Sequence, residues 1–139
     1  MFETVYTCPD WWDGPRGGIA DYLGRPHRFE SEWDYYQGEP DTFLLTPIDA
    51  ETFRLALEDW TIWRRWESAF YQGQATQDTH PVLPEDRTRY EELQRLLDGR
   101  LIVDASCAFR KVGEFRARQD PSWSGFGMRP LEVQWSDIH

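Results

Sequence analysis

Residues 49–72, DAETFRLALEDWTIWRRWESAFYQ, carry the strongest helical pattern in the chain, and the remaining segments are read by how they would pack against it. With Asp49 as N-cap, its carboxylate accepts from the free amides of the first turn and Glu51 meets the positive end of the helix dipole. Ile48 and Phe53 then occupy the two positions of a hydrophobic staple. Thr46 followed by Pro47 is a competing start, but only the Asp49 phase supplies the staple. Gly73 marks the stop, because glycine readily takes the left-handed conformation that closes a helix. At about 100° per residue the apolar side chains from Phe53 to Phe70 cover an arc of roughly 240°. A surface helix needs far less, so the expectation is a helix buried on two sides, with both halves of the chain wrapped around its tryptophans.

Two acids interrupt that arc. Asp59 falls between Trp63 and Trp66 on the helical wheel, and Glu67 falls between Trp60 and Trp63. Each needs a hydrogen-bond donor or an arginine, or else a raised pKa. One reading pairs them with arginines such as Arg64, Arg110, Arg116 or Arg118 at the rim of the core. The other makes them an acid/base pair acting on a sugar or similar polar substrate, in a cleft walled by Trp60, Trp63 and Trp66 with Arg64 or His27 nearby.

At 139 residues the chain fits a single domain spanning 1–139, and its 8 Trp, 8 Phe and 6 Tyr suffice for a packed core. The net charge of −10, with basic residues scattered among acids, excludes nucleic acid and anionic membrane surfaces as expected partners. Arginine supplies 14 of the 15 basic side chains and Lys111 the other. That bias reads as genomic composition or as use of the guanidinium fork for anions. Cys8 and Cys107, both in expected strands, could pair as a disulfide, but the opening MFETVYTC has neither a basic head nor an apolar signal core, so a cytoplasmic protein with free thiols is the preferred expectation.

Taken in order, residues 3–8 read as a strand, followed by a Gly/Pro-rich loop over 9–16. Its Trp11 and Trp12 are either a lid on the core or a recognition lip. Residues 17–22 and 27–36 read as a hairpin about the turn 23–26, with His27, Phe29, Ser31, Trp33 and Tyr35 on the inward face. Gly17-Gly18 reads as a tight turn rather than a phosphate loop, because no phosphate-loop spacing surrounds it. A third strand, 42–46, feeds the helix. A polar linker, 74–83, leads to a second helix over 84–98, started by Pro84 and stopped at Gly99, with Tyr90, Leu93, Leu96 and Leu97 as its stripe. Residues 101–103, 108–118 and 131–135 return to strand. The last two are joined by QDPSWSGFGMRP, whose Trp123 and Phe126 suit a mobile flap or a contact surface.

The segments DGPRGGIADYLGRPHRFES, LTPIDAETFRLALEDWTIWRRWESAF, THPVLPEDRTRYEEL and RPLEVQW resemble a group of small acidic bacterial proteins of uncharacterised function. The resemblance spans nearly the whole chain and implies no activity, cofactor or catalytic residue.

Motif chemistry is sparse. His27, His80 and His139 are the only histidines, and neither HExxH nor CxxC occurs, so no metal and no cofactor is expected. GxSxG is absent. His27, alone on an inward strand face, reads as a core histidine or a weak catalytic candidate. The expected fold is α+β, with an antiparallel sheet of about five or six strands from both chain ends packed on a two-helix hairpin from the middle. The leading functional expectation is a protein-binding module, immunity-type or self-associating, whose acidic surface meets a basic partner. Trp11, Trp12, Trp123 and Phe126 are its contact candidates. The alternative is an enzyme or small-ligand binder at Trp60, Trp63, Trp66 and Arg64, with Asp59, Glu67 or His27 as acid/base.

Overall fold

Segments with period-two alternation become strands in the computed structural model, which describes residues 1–33 and 41–138. They are β1 (Glu3–Trp11), β2 (Pro15–Tyr22), β3 (Arg25–Ser31), β4 (Thr42–Pro47), β5 (Phe109–Ala117) and β6 (Leu131–Ser136). Between β4 and β5 the chain leaves the sheet to form α1 (Ala50–Tyr71) and α2 (Arg87–Leu97). Each strand pairs antiparallel with the next, and β6 returns to β1 through Glu3↔Val133 and Thr4↔Glu132. An α+β fold with six antiparallel strands from both chain ends therefore stands. Instead of lying open against the helices, the sheet closes into a barrel, which removes its free edges.

Closure moves the centre of the protein. The buried cluster Val5, Cys8, Ala20, Phe29, Phe43, Leu45 and Val133 fills the barrel, joined by Phe115 and Trp135. Its rings meet at 5.3 to 5.8 Å between centroids, as in Phe29–Phe43, Phe43–Phe115 and Phe115–Trp135. A second cluster lies outside the wall, where Ile19 meets Leu55, Ala56 and Ile62 of α1 and Leu93 and Leu97 of α2. The long helix is thus a buttress buried on one side, not the enclosed rod its apolar arc predicts. Of its three tryptophans only Trp66 is buried, while Trp60 and Trp63 are half-buried.

The helix ends follow their local chemistry. Asp49 Oδ1 accepts the Thr52 amide at 2.7 Å, Ile48 and Phe53 both pack on the outer cluster, and Gly73 closes the helix at φ +77°. Pro84–Asp86 form a 3-10 turn ahead of α2. The helices run antiparallel, as the pairs Arg65–Asp86, Glu58–Arg89 and Glu51–Arg100 show.

Several local expectations are corrected. Gly17-Gly18 lies within β2 rather than in a tight turn. β1 shifts register between Val5 and Thr7 and again before Asp10, which is why Val5 and Cys8 both reach the barrel interior although three residues apart. At that irregularity the Thr7 carbonyl occupies the space a Cβ at Gly18 would need, and Thr7 Oγ1 takes the Ile19 amide at 3.1 Å. Residues 101–103 form no strand; Leu101 instead packs on the outer cluster. Cys107 is exposed in a turn held by Asp104, whereas Cys8 is buried, and both thiols are free. Leu96 points away from the outer cluster and is exposed. β3 ends at Ser31, so Trp33 follows the strand, and the expected positions of Tyr35 and Tyr36 lie outside the described residues.

Candidate functional site

The loop between β5 and β6 is tied to α1 by one buried carboxylate. The loop closes at its neck where the Arg118 amide donates to the Pro130 carbonyl at 2.8 Å. Glu67, 6 % exposed, accepts from Arg64 Nη1 and, at 3.1 Å, from the Met128 amide. Arg64 Nη2 donates to the Met128 carbonyl at 2.6 Å. Gly127, at φ +81°, lies so close to the carboxylate that a Cβ there would collide with it. Burial pushes the Glu67 carboxyl up, against the Met128 amide and Arg64, which favour the charged form. Asp120 shapes the loop tip by accepting the Ser122 amide at 2.9 Å and hydroxyl at 2.6 Å.

This strap roofs a cleft of about 490 Å³. Its floor is one helical face of α1, with Trp60, Arg64 and Ser68 at four-residue spacing, and its far wall is β1 from Val5 to Cys8. The strap contributes Arg118, Trp123, Phe126 and Arg129. Four arginines line the cleft against one acid, Asp120. Glu67 engages Arg64, Asp86 engages Arg65 through two bonds of 2.9 and 3.0 Å, and Asp120 engages Arg118 at 3.2 Å. Arg129 makes no ion pair among the described residues; its guanidinium sits 4.9 Å from the Trp123 ring centroid. Arg118 Nε and Trp123 Nε1 are buried donors with no acceptor among the described residues. Leaving such groups unsatisfied costs about 1–3 kcal/mol each.

A second cleft, of about 320 Å³, opens on the other flank of Trp60. Asp59, Trp60 and Trp63 of α1, Tyr90 and Gln94 of α2, and His80 of the connection line it. Asp59 Oδ1 accepts the Gln94 amide at 2.7 Å, and no arginine or lysine pairs with it among the described residues. Burial is the main cause of a raised Asp59 carboxyl, with the charge of Glu58 adding to it and the Gln94 bond opposing.

The candidates from the sequence are therefore divided. Trp60, Arg64, Trp123 and Phe126 meet at the larger cleft, and Asp59 and Trp63 at the smaller, with Trp60 shared. Glu67 lines neither, so the two carboxylates do not converge on one pocket. Trp66 is turned to Thr79, its Nε1 donating at 3.0 Å, and stacks on Phe70. His27 is buried against Tyr22 and Phe109 with Nδ1 2.7 Å from the Arg25 carbonyl, away from both clefts. Trp11 and Trp12 are 51 % and 49 % exposed, too wet for a lid on the core, and Trp12 stacks on Trp33 at 5.1 Å. Sequence reasoning assigned Tyr90 to the packing stripe of α2 and gave Arg129 and Gln94 no role at a site. Arg129 had a usable cue, since it and Arg118 bracket a loop whose neck must close for β5 and β6 to pair. Among the described residues no group of three or more His, Cys, Asp or Glu is placed to hold a metal, and no helix is long and apolar enough to cross a membrane. No protein-family model matches the chain, and neither curated proteins nor solved structures yield a match to it.

Proposed function

We propose that this protein binds a small organic anion, a planar ring bearing a carboxylate or phosphate, in the cleft between α1 and the β5–β6 strap. The observation that carries the reading is the gathering of Arg64, Arg65, Arg118 and Arg129 in one lining whose one acid is Asp120, with Arg129 lacking a carboxylate partner among the described residues. Ligand oxygens would give Arg129 the anionic partner it lacks among the described residues, and charge-assisted bonds to arginine are the strong kind. Trp60 and Trp123 provide faces for the ring, and the volume falls in the range of small-molecule sites. Within a chain of net charge −10, such a concentration of arginine makes the cleft a local exception.

Calorimetry and tryptophan quenching with indole-3-acetate and phenyl phosphate, against neutral benzyl alcohol, test it. Both anions should bind at least about tenfold more tightly than the alcohol, and Arg118→Ala and Arg129→Ala should each remove most of that advantage. Equal affinity for the neutral ring, or unchanged binding by both variants, ends the proposal.

A second reading, a module meeting a basic protein or a second copy of this chain, draws support from the half-exposed Trp11 and Trp12 together with the net charge. It predicts a salt-sensitive complex or oligomer in light scattering that Trp11→Ala and Trp12→Ala weaken. A monomer at all salt concentrations that captures no basic protein removes it.

A further inference from the structure

The smaller cleft shares Trp60 and Thr7 with the larger one but none of its arginines. Its lining couples a carboxylate to three aromatic side chains. Asp59 is that carboxylate, and among the described residues its one hydrogen bond comes from a neutral amide, Gln94. Trp60 and Trp63 stand 4.9 Å apart between ring centroids, and Tyr90 lines the cleft with Asp59, its hydroxyl pKa raised by burial and further by the Asp59 charge. Arg28 is the one cationic side chain of the lining, and Asp10 engages it at 3.2 Å. His80 lines the same cleft with its ring edge-on to Trp66 at 4.6 Å. Beside Asp59 on the helix, Glu58 is held by Arg89.

We propose that this cleft is a second binding site, for an organic cation whose alkylammonium head lies against the Asp59 carboxylate and is bordered by the side chains of Trp60, Trp63 and Tyr90. Burying a carboxylate without a counter-charge is unfavourable, and an incoming ammonium removes that penalty. The negative faces of the rings add attraction that water cannot supply. The charge of the whole chain raises the local concentration of cations. The inference is independent of the anion reading, because the charged groups it uses are different ones.

Choline and 3,3-dimethylbutan-1-ol, nearly the same in shape and differing in charge, are suitable ligands for the test. Binding is followed by titration of the indole and side-chain amide NMR signals at matched ionic strength. Choline should bind at least about tenfold more tightly than the alcohol and should shift the indoles of Trp60 and Trp63 and the Gln94 amide. Asp59→Asn, which keeps an acceptor for Gln94, should abolish the preference while the protein melts as a folded chain. Trp63→Leu should weaken choline alone, and Arg129→Ala should leave it unchanged. No binding of choline, equal affinity for both ligands, retention of the preference in Asp59→Asn, or shifts confined to Trp123 would each overturn the assignment.

Discussion

Replacing Glu67 by alanine tests whether one carboxylate holds the strap on the helix. The side chain is 8 % exposed and accepts from two donors, Arg64 Nη1 and the Met128 amide. A hydrogen bond to a charged group contributes about 1.5–3 kcal/mol, and an amide left without an acceptor costs about 1–3 kcal/mol. Two terms reduce the sum. Arg64 keeps its bond to the Met128 carbonyl, and its side chain is 23 % exposed, so water reaches part of it. Removing a carboxylate that burial disfavours also recovers some free energy. The net expectation for Glu67→Ala is a loss of about 2–3 kcal/mol, and for Glu67→Gln, which keeps an acceptor and most of the volume, about 1 kcal/mol. Urea unfolding followed by fluorescence and circular dichroism gives both values. A cycle with Arg64→Ala should show at least about 0.5–1 kcal/mol of coupling. Faster amide exchange should be confined to residues 119–130. If Glu67→Ala stays within about 0.5 kcal/mol of the parent and the cycle shows no coupling, the clamp is not what orders the cleft.

Asp59 should give a pH signature of the opposite sign to the usual carboxylate. Its folded pKa lies above its ordinary value of 3.8, so the native state binds the proton more tightly than the unfolded chain. Its contribution is fully present below 3.8 and is lost as pH rises through the folded value. Asp59→Asn should therefore stabilise the protein at pH 7 and match it at pH 3, and a variant less stable at pH 7 contradicts this. Gly18→Ala forces a Cβ into the Thr7 carbonyl and should leave little folded protein by circular dichroism, whereas Gly24→Ala, at an open turn with φ +77°, should cost about 1–2 kcal/mol. Burial pushes the Cys8 thiol up to about 12, while Cys107 is exposed. Native protein should accordingly titrate one thiol with a disulfide reagent and unfolded protein two; two fast thiols in the native state would place Cys8 outside the barrel.

What could be read from the sequence was the chemistry that is local. Asp49 caps its helix through an amide three residues away, and Leu131, Val133 and Trp135 alternate inward within a single strand. The barrel was not legible, because its last seam joins Thr4 to Glu132 across almost the whole chain, and alternation shows which face is buried but not whether two edges meet. β1 conceals its parity further with a bulge at Thr7. Gly17-Gly18 looked like punctuation because a glycine selected for a close backbone approach and one selected for a turn are the same letter. The arc of apolar residues on α1 overstated burial for a related reason. Tryptophans that wall a cleft and tryptophans that fill a core give the same periodicity, and Trp60 and Trp63 do the former.

The division of the site follows from the pitch of one helix. Asp59, Trp63 and Trp66 recur at four and three residues and form one stripe, whose partners are Gln94, Thr79 and His80. Trp60, Arg64 and Glu67 recur in the same steps, displaced by one residue or about 100°, and their partners are on the strap at Met128. The two acids therefore belong to different stripes despite sharing an aromatic neighbourhood on the wheel. The burial that raises both carboxyls has two origins: Glu67 lies under the strap it anchors, and Asp59 lies in a cleft with no cationic side chain bound to it among the described residues. A buried acid with arginine and backbone donors around it is accounted for by structure alone. A half-buried acid beside a cavity, answered only by an amide among the described residues, is the one whose cost a ligand would repay.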